Sequence, residues 1–285
     1  MPRRTYAMVA VAAVFLLLAA GCGKSEPSSS GGSPSTGASS PTQAALDTVK
    51  PGTLTVGSCL EYKPFEYTEG GTLKGFDVEI MQAIATKLGL QLEWTKHDFD
   101  TIFTALAANQ FDAVAAASTI KPDRLQVVDF SDPYYNARQS LTVNTSKSPD
   151  IQTTDDLKSG DTIGAQKGTT GLDWAKTNLA PKGITIKTYT DAPDAFTDLE
   201  AGQITGVIND EPSSEAEVQN RPDLKVVEPI DTGEHYGIAV AKNRTDIKDA
   251  INGALKAIIA DGTYKTIFQK YFPGVEVPQE YQPTA

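Results

Sequence analysis

The fold is decided by residues 53 to 95, which read TLTVGSCLEYKPFEYTEGGTLKGFDVEIMQAIATKLGLQLEWT. The first six residues alternate β-branched and small side chains, a pattern typical of a strand. After a glycine-rich turn, apolar residues recur at helical spacing between Asp77, a candidate N-cap, and Gly89, which ends the helix. Residues 90–95 are again extended. This stretch therefore predicts a strand, a helix and a second strand in succession.

The same alternation continues through the rest of the chain. Further strands are predicted at residues 112–116, 162–165, 184–189, 205–208, 224–227 and 236–241, and further helices at 100–106, from 169, and at 193–201, 211–219, 245–260 and 264–271. Alternating strands and helices indicate an α/β protein with mostly parallel sheets, in which right-handed crossovers place helices on both faces. Such sheets bind ligands outside the carboxyl ends of their strands. Here those ends are the loops after Ser58, Val114, Ala165 and Ile208.

The N-terminal segment has the features of an export signal. Arg3 and Arg4 precede a short apolar run that ends in small residues, and Cys22 follows. The run is shorter than the about 20 residues that a membrane span requires. The Cys resembles the lipidated first residue of mature bacterial lipoproteins, although Ala19 stands where Leu is commonest. We predict a signal peptide over residues 1–21 and lipidation of Cys22, which would anchor the chain outside the cytoplasm. The alternative is a soluble secreted protein with an incidental Cys.

A polar tether and an acidic body follow the signal. Residues 22–44 are rich in Ser, Gly and Pro and lack the hydrophobes that offset ordering entropy, so we predict a disordered tether. Without Arg3 and Arg4 the chain carries 23 basic and 36 acidic side chains, a formal charge of −13. Such a surface repels nucleic-acid phosphates and favours a soluble monomer. Lipidation of Cys22 would leave Cys59 without a disulfide partner, and no zinc-ligand spacing occurs. We expect no metal and no cofactor.

Polar and aromatic residues follow the first two predicted strand ends. Tyr62 could lie flat against a ligand, or it could form a wedge that packs its own loop. Arg124 offers a planar fork that matches a carboxylate bidentately, and Thr119 adds a hydroxyl and an N–H group. The alternative for Arg124 is a surface arginine paired with Asp123 or Asp129.

The third and fourth strand ends add an anion site and an acid. Gly168-Thr169-Thr170 opens a helix, where free N–H groups and hydroxyls can bind an anion. The alternative is an ordinary Thr N-cap, and a nucleotide-binding P-loop frame is absent. Asp210 could accept hydrogen bonds from an ammonium group, or it could simply cap a helix. Together these loops contain the groups that a free α-amino acid zwitterion needs.

Four stretches resemble the family-3 extracellular solute-binding proteins, the amino-acid receptors of ABC importers. They are Tyr62-x-Pro-Phe-Glu66 with Gly75-Phe76-Asp77, residues 111–135, Gly168-Thr169-Thr170, and Asp261-Gly262-Thr263-Tyr264 with Lys270-Tyr271-Phe272. The match runs in order from Thr53 to Phe272. It implies a two-lobed type II periplasmic-binding-protein fold, in which two hinge strands join the lobes. Residues 45–138 and 236–285 would form lobe 1, and residues 139–235 would form lobe 2.

The resemblance also implies a set of ligand-binding residues, namely Tyr62, Phe99, Ala117, Thr119, Arg124, Thr169, Thr170 and Asp210. Arg124 and the threonines would bind the α-carboxylate of the ligand. Asp210 and the carbonyl of Ala117 would take its α-ammonium group, and the two aromatic residues would stack on its side chain. The ligand would close the lobes and then be delivered to an ABC permease.

The chain departs from the family pattern at Cys59, where binders of basic amino acids often carry an acid. Glu61 and Gln166 are the nearest polar candidates for reading the ligand side chain, and Cys59 itself is a small residue suited to burial. A neutral ligand such as glutamine and a basic amino acid both remain open. We predict no enzymatic activity. The alternatives are a dehydratase-like enzyme on the same fold, with Glu61 as its acid or base, and a ligand-sensing lipoprotein.

Overall fold

Two five-stranded sheets organise residues 46–283, the part of the chain that the computed structural model describes. The predicted signal peptide, Cys22 and the tether lie outside the described residues. Within residues 46–283, every helix is too short or too polar to cross a bilayer.

The strands are β1 (Thr53–Ser58), β2 (Glu61–Tyr62), β3 (Glu66–Glu69), β4 (Thr72–Lys74), β5 (Gln91–Lys96), β6 (Ala113–Val114), β7 (Val128–Phe130), β8 (Tyr135–Asn144), β9 (Thr162–Gln166), β10 (Thr185–Tyr189), β11 (Gly206–Asp210), β12 (Leu224–Tyr236) and β13 (Ala239–Ala241). The α-helices are α1 (Phe76–Leu88), α2 (Ile102–Ala107), α3 (Arg124–Val127), α4 (Thr170–Asn178), α5 (Ala192–Ala201), α6 (Glu211–Val218), α7 (Thr245–Ala260) and α8 (Thr263–Tyr271). The predicted α/β class is therefore confirmed.

The first sheet has the strand order β5-β1-β6-β13-β7. Strand β1 pairs in parallel with β5 and β6, whereas β13 pairs antiparallel with β6 and β7. Four of its five strands therefore run in one direction. Helix α1 packs against α7 and α8 beside this sheet, so the C-terminal helices belong to the same lobe as the N-terminal strands.

The second sheet has the order β10-β9-β11-β8-β12 and repeats this plan. Strand β9 pairs in parallel with β10 and β11, and β8 pairs antiparallel with β11 and β12. Again four of five strands share one direction. A small antiparallel sheet, β2-β3-β4, completes the first lobe beside α1.

Two long strands lead from one lobe into the other. The chain leaves the first sheet between β7 and β8 and returns to it between β12 and β13. Strands β8 and β12 pair antiparallel, from Asn144 opposite Leu224 to Tyr135 opposite Tyr236. At the lobe-1 end, Tyr236 forms a bridge with Thr119. The result is a two-lobed protein whose connecting strands pass behind the cleft.

An aromatic cluster fixes the ends of the connecting strands to the first lobe. The ring of Phe76 lies 5.8 Å from that of Tyr135 and 5.2 Å from that of Phe272. The ring of Phe65 lies 5.4 Å from that of Tyr236, again edge to face. Such pairs contribute about 0.5–1.5 kcal/mol each beyond the area they bury. These contacts hold the lobe-1 ends of both connecting strands against the core of lobe 1.

Asp77 does not cap helix α1, contrary to the sequence prediction. The N-cap is Gly75, whose φ of 140° is open only to glycine, and an added Cβ there would lie 1.9 Å from a backbone oxygen. The buried carboxylate of Asp77 instead accepts hydrogen bonds from the Ala117 N–H at 2.9 Å and the Tyr134 hydroxyl at 2.8 Å. Asp77 thereby fixes the loop that follows β6.

Candidate functional site

A cavity of about 10 Å³ lies between the lobes, where the loops after β1, β6, β9 and β11 meet. It is lined by Cys59, Tyr62, Phe99, Ala116, Ala117, Thr119, Arg124, Gln166, Thr169, Thr170 and Asp210. This set contains ten of the eleven residues predicted for ligand contact. Their convergence follows from the rule that ligands sit at the carboxyl ends of such strands. The cavity is small because polar side chains from both lobes contact one another across it.

Glu61 does not line this cavity, contrary to the sequence prediction. Successive side chains of a strand face opposite ways, and on the two-residue strand β2 it is Tyr62 that faces the cavity. The Glu61 side chain is 41% exposed and forms an ion pair with Lys96. It lines a separate surface groove. The candidate acid or base of the enzyme alternative is therefore outside the interlobe cavity.

The guanidinium of Arg124 is buried at the lobe-1 wall of the cavity. It donates to the carbonyl of Thr119 at 2.8 Å and, across the cleft, to that of Gly168 at 3.0 Å. Its carbon lies 5.2 Å from the ring of Phe99 and 4.7 Å from that of Phe103. With 6% of its surface exposed, Arg124 is not a surface arginine paired with a neighbouring aspartate.

Arg124 lies near several acids, of which Asp123, Asp210 and Glu234 favour its charged form most, but its hydrogen bonds go to uncharged partners. Among residues 46–283, its hydrogen bonds go to carbonyl oxygens rather than to a carboxylate. Desolvation by burial lowers the pKa of Arg124 from its ordinary value. A guanidinium has five N–H donors, and an isolated buried charge is costly unless it is paired. A carboxylate that entered the cavity would meet a buried cationic donor in Arg124.

Asp210 provides an acidic group on the opposite lobe. Its carboxylate accepts a hydrogen bond from the hydroxyl of Tyr62 at 2.7 Å and another from the side-chain amide of Gln139. Desolvation by burial, followed by the charge of Glu234, raises the pKa of Asp210 to about 6. Asp210 occupies the N-cap position of α6, as the alternative held, but its side chain makes no capping hydrogen bond. The carboxylate faces the cavity instead.

The two threonines at the start of α4 are used differently. The Thr169 hydroxyl accepts from the Leu172 N–H at 3.1 Å and donates to the Gln166 carbonyl at 2.8 Å, so it is a helix cap. The Thr170 hydroxyl donates to Glu234 at 2.7 Å. The first N–H groups of a helix lack intrahelical acceptors. An anion at this wall would therefore be bound by backbone N–H groups and the helix dipole.

Cys59 and Gln166 also line the cavity. The buried Cys59 thiol donates to Glu66 at 3.2 Å, and desolvation by burial raises the pKa of both groups well above their ordinary values. The amide of Gln166 donates to the Thr190 carbonyl at 2.9 Å. This wall is polar but carries a hydrogen-bonded thiol in place of an exposed acid.

Sequence reasoning missed two residues that connect the cavity walls. Gln139 on β8 and Glu234 on β12 form a hydrogen-bonded chain with Asp210, Thr119 and Thr170. Both residues lie on the connecting strands and far from the strand-end loops in sequence. The predicted lobe boundaries, between residues 138 and 139 and between 235 and 236, were the signal that could have found them.

The arrangement can bind a small molecule that carries both a carboxylate and an ammonium group. The cationic clamp lies on one lobe and the acidic acceptor on the other, with aromatic rings beside them. Within residues 46–283, no group of three or more His, Cys, Asp and Glu side chains is arranged to hold a metal ion. The fold and the site together define a two-lobed solute-binding protein of the type II periplasmic class.

The chain belongs to family 3 of the bacterial extracellular solute-binding proteins, whose family model matches residues 54–274. It is similar to the arginine-binding extracellular protein ArtP of Bacillus subtilis (strain 168). The two are 33% identical over 224 residues, which cover 78% of this chain and 86% of the relative.

Solved structures of the same architecture are also similar to this chain. An ancestral arginine-binding protein has been solved with arginine and with glutamine bound, and both structures have a TM-score of 0.74 and 37% identity. Each match covers 78% of this chain. It covers 98% of the arginine-bound structure and 99% of the glutamine-bound structure. An ancestral amino acid-binding protein described as a precursor of cyclohexadienyl dehydratase is also similar, with a TM-score of 0.72 and 33% identity. The match covers 78% of this chain and 96% of that structure.

Proposed function

We propose that this chain is the extracytoplasmic receptor of an ABC importer and that it binds one free polar amino acid in the interlobe cavity. The observation that carries this proposal is the buried guanidinium of Arg124, whose hydrogen bonds within residues 46–283 go to carbonyl oxygens and which lies in one cavity with the acidic Asp210. A zwitterion supplies the carboxylate that Arg124 lacks and the ammonium group that Asp210 can accept. Its two charged ends match the two walls.

Binding on both lobes couples recognition to closure. Arg124 and Thr119 belong to the first lobe, and Thr169, Thr170 and Asp210 belong to the second. A ligand that contacts both sets stabilises the closed form, because only that form presents them together. A few hydrogen bonds to charged groups, less the cost of ordering, give a micromolar complex of about −8 kcal/mol. The permease would then recognise the closed form.

The polar part of the cavity wall formed by Cys59 and Gln166 favours a glutamine-like or a basic amino acid as the ligand. The thiol of Cys59 and the amide of Gln166 offer hydrogen-bonding groups at the part of the cavity wall where the ligand side chain would lie. The ancestral relative is described with both arginine and glutamine bound. Tyr62 and Phe99 would provide the flat walls beside the side chain.

The expected location follows from the N-terminal sequence. Lipidation of Cys22 after removal of residues 1–21 would anchor the mature chain at the outer face of the cell membrane. The predicted tether, residues 22–44, would link the folded part of the chain to the membrane anchor and keep it beside a membrane partner. The acidic net charge favours a monomer. Mass spectrometry of the mature N-terminus would test this assignment.

A thermal-shift screen against the common amino acids, followed by calorimetry of the hits, tests the proposal. A ligand present at about 100 times its Kd stabilises the folded state by about 2.7 kcal/mol. We expect a large shift with glutamine or a basic amino acid. No shift with any free amino acid would overturn the proposal. Loss of amino-acid uptake when the gene is deleted would separate transport from ligand sensing.

We propose no catalytic role for this site. Glu61, the candidate acid or base of the dehydratase alternative, is exposed, paired with Lys96 and outside the interlobe cavity. Incubation of the purified protein with cyclic and linear carboxylic acids, monitored by mass spectrometry, should give no product. A product that depends on Glu61 would reverse this conclusion.

A further inference from the structure

Glu234 lies at the centre of a buried hydrogen-bond network behind the cavity. One carboxylate oxygen, Oε2, accepts from the hydroxyls of Thr119 at 2.6 Å and Thr170 at 2.7 Å. The other, Oε1, accepts from the hydroxyl of Thr232 at 2.8 Å and the amide of Gln139 at 3.2 Å. Four donors therefore converge on the two carboxylate oxygens of Glu234. Only 8% of its surface is exposed.

This network fixes the direction of two hydroxyl protons. A threonine hydroxyl has one proton to donate and two lone pairs that accept. Because a carboxylate only accepts, the protons of Thr119 and Thr170 point at Glu234 and away from the cavity. The amide nitrogen of Gln139 lies 3.2 Å from the Thr170 oxygen, but its two protons are shared among this oxygen, Asp210 and Glu234. Thr119 lines the cavity, and with its proton on Glu234 its oxygen can only accept there.

We propose that Glu234 is a positioning residue that makes the Thr119 hydroxyl an acceptor for the α-ammonium group of the bound amino acid. This inference rests on the proposed function and refines it. The sequence analysis assigned Thr119 to the carboxylate end. With its proton held by Glu234, the hydroxyl serves the ammonium end beside Asp210. The carboxylate is then bound by Arg124 and by the backbone N–H groups at the start of α4.

The charges around Asp210 support the same assignment. The amide of Gln139 donates to both Asp210 and Glu234, so two carboxylates stand side by side on the connecting strands. The titratable and charged groups that interact with Asp210 are Tyr62, Tyr135, Tyr236, Glu234, Glu66 and Arg124. The charge of Glu234 contributes to raising the pKa of Asp210. Two acids close together favour a cation at this end of the cavity.

The test is calorimetric titration of wild type and Glu234→Gln with L-glutamine and L-arginine. In this variant, the glutamine side chain can turn its NH2 group toward the Thr119 oxygen. The hydroxyl proton of Thr119 is then free to point into the cavity. We expect roughly five- to tenfold weaker binding at pH 8, the effect of one hydrogen bond. Glu228→Gln on the same strand, outside the cavity, is the matched control and should bind like wild type.

Two further measurements separate positioning from a merely structural effect. If Glu234 acts through Thr119, then Thr119→Val and Glu234→Gln are non-additive, and the double variant binds within about twofold of Thr119→Val. Loss of the Glu234 charge also lowers the pKa of Asp210, so binding should persist to a lower pH than in wild type, where Asp210 titrates at about 6. Melting temperatures show that each variant is folded.

Opposite results would overturn the inference. Equal or tighter binding by Glu234→Gln would mean that Glu234 competes with the ligand carboxylate for the hydroxyls. Additive losses in the double variant, or an unmoved pH profile, would exclude action through Thr119 or through the neighbouring charge. If wild type binds no amino acid, the proposed function and this inference fail together. Wild-type binding with an unaffected Glu234→Gln variant removes only the inference.

Discussion

Replacement of Arg124 is the most informative single perturbation of the binding site. The guanidinium uses two of its five N–H groups on the carbonyls of Thr119 and Gly168, which holds the remaining donors toward the cavity. A bidentate pair with the ligand carboxylate adds two charged hydrogen bonds of about 1.5–3 kcal/mol each. Arg124→Ala should therefore weaken binding by about 3–6 kcal/mol, or roughly two to four orders of magnitude.

Arg124→Lys refines the same prediction. A lysine keeps the charge but offers three donors from one atom and cannot hold both carbonyls and a bidentate carboxylate. We expect it to lose about one charged hydrogen bond, or roughly 10- to 150-fold in affinity. Calorimetry at one pH and ionic strength measures both variants. Arg244→Lys is the matched control, because Arg244 pairs with Asp246 away from the cavity and should not affect affinity. A folded Arg124→Ala variant that binds within twofold of wild type would refute the carboxylate clamp.

Three further predictions address closure, protonation and the core. Gly168 has a φ of +76°, and a Cβ added there would lie 2.8 Å from the Asp100 Cα across the cleft. Because this contact obstructs closure of the lobes, Gly168→Ala should weaken ligand binding at least tenfold, as measured by calorimetry. Gly160 also has a positive φ, but a Cβ added there would meet open space, so the Gly160→Ala variant is the control and should bind the ligand like wild type. If both variants weakened binding equally, obstruction of lobe closure would be excluded as the cause. Because Asp210 must be ionised to accept an ammonium group and has a pKa of about 6, affinity should fall about tenfold from pH 7 to pH 5. Asp210→Asn should bind weakly with a flat profile, and a persistent pH dependence in that variant would assign the titration to another group. Phe76→Ala removes the centre of the aromatic cluster and should lower the free energy of unfolding by about 3–5 kcal/mol in denaturant titrations; a loss below about 1 kcal/mol would contradict this packing.

Alternation along the chain predicted the longer helices and most sheet strands, but not the short strands β2, β3, β4 and β7. Apolar spacing in α1 and the β-branched pattern of β1 depend on residues near each other in sequence. The loops that carry Arg124 and Asp210 then follow from the rule for strand ends. The strand-end rule predicts which loops border the cavity, but it does not predict which side chains of a loop point into it. Glu61 shows this limit, because the alternation of β2 directs it outward while Tyr62 faces inward.

The residues that sequence reasoning missed depend on contacts between distant segments. Glu234 reaches Thr119 and Thr170 only because β12 pairs with β8 along the connecting strands, with a register shift just before Glu234. Its position in an irregular strand gives no local pattern. Asp77 illustrates the same point, since its position resembles a helix N-cap whereas its carboxylate binds the backbone of Ala117. Local propensity cannot distinguish these roles without the packing around them.

A crystal structure of the protein with a bound amino acid tests the central claim most directly. The account predicts the α-carboxylate within about 3 Å of the Arg124 guanidinium and the α-ammonium group within about 3 Å of the Asp210 carboxylate, so that one molecule bridges both lobes. A ligand bound in the reversed orientation, or held by one lobe with either group turned to solvent, would contradict it.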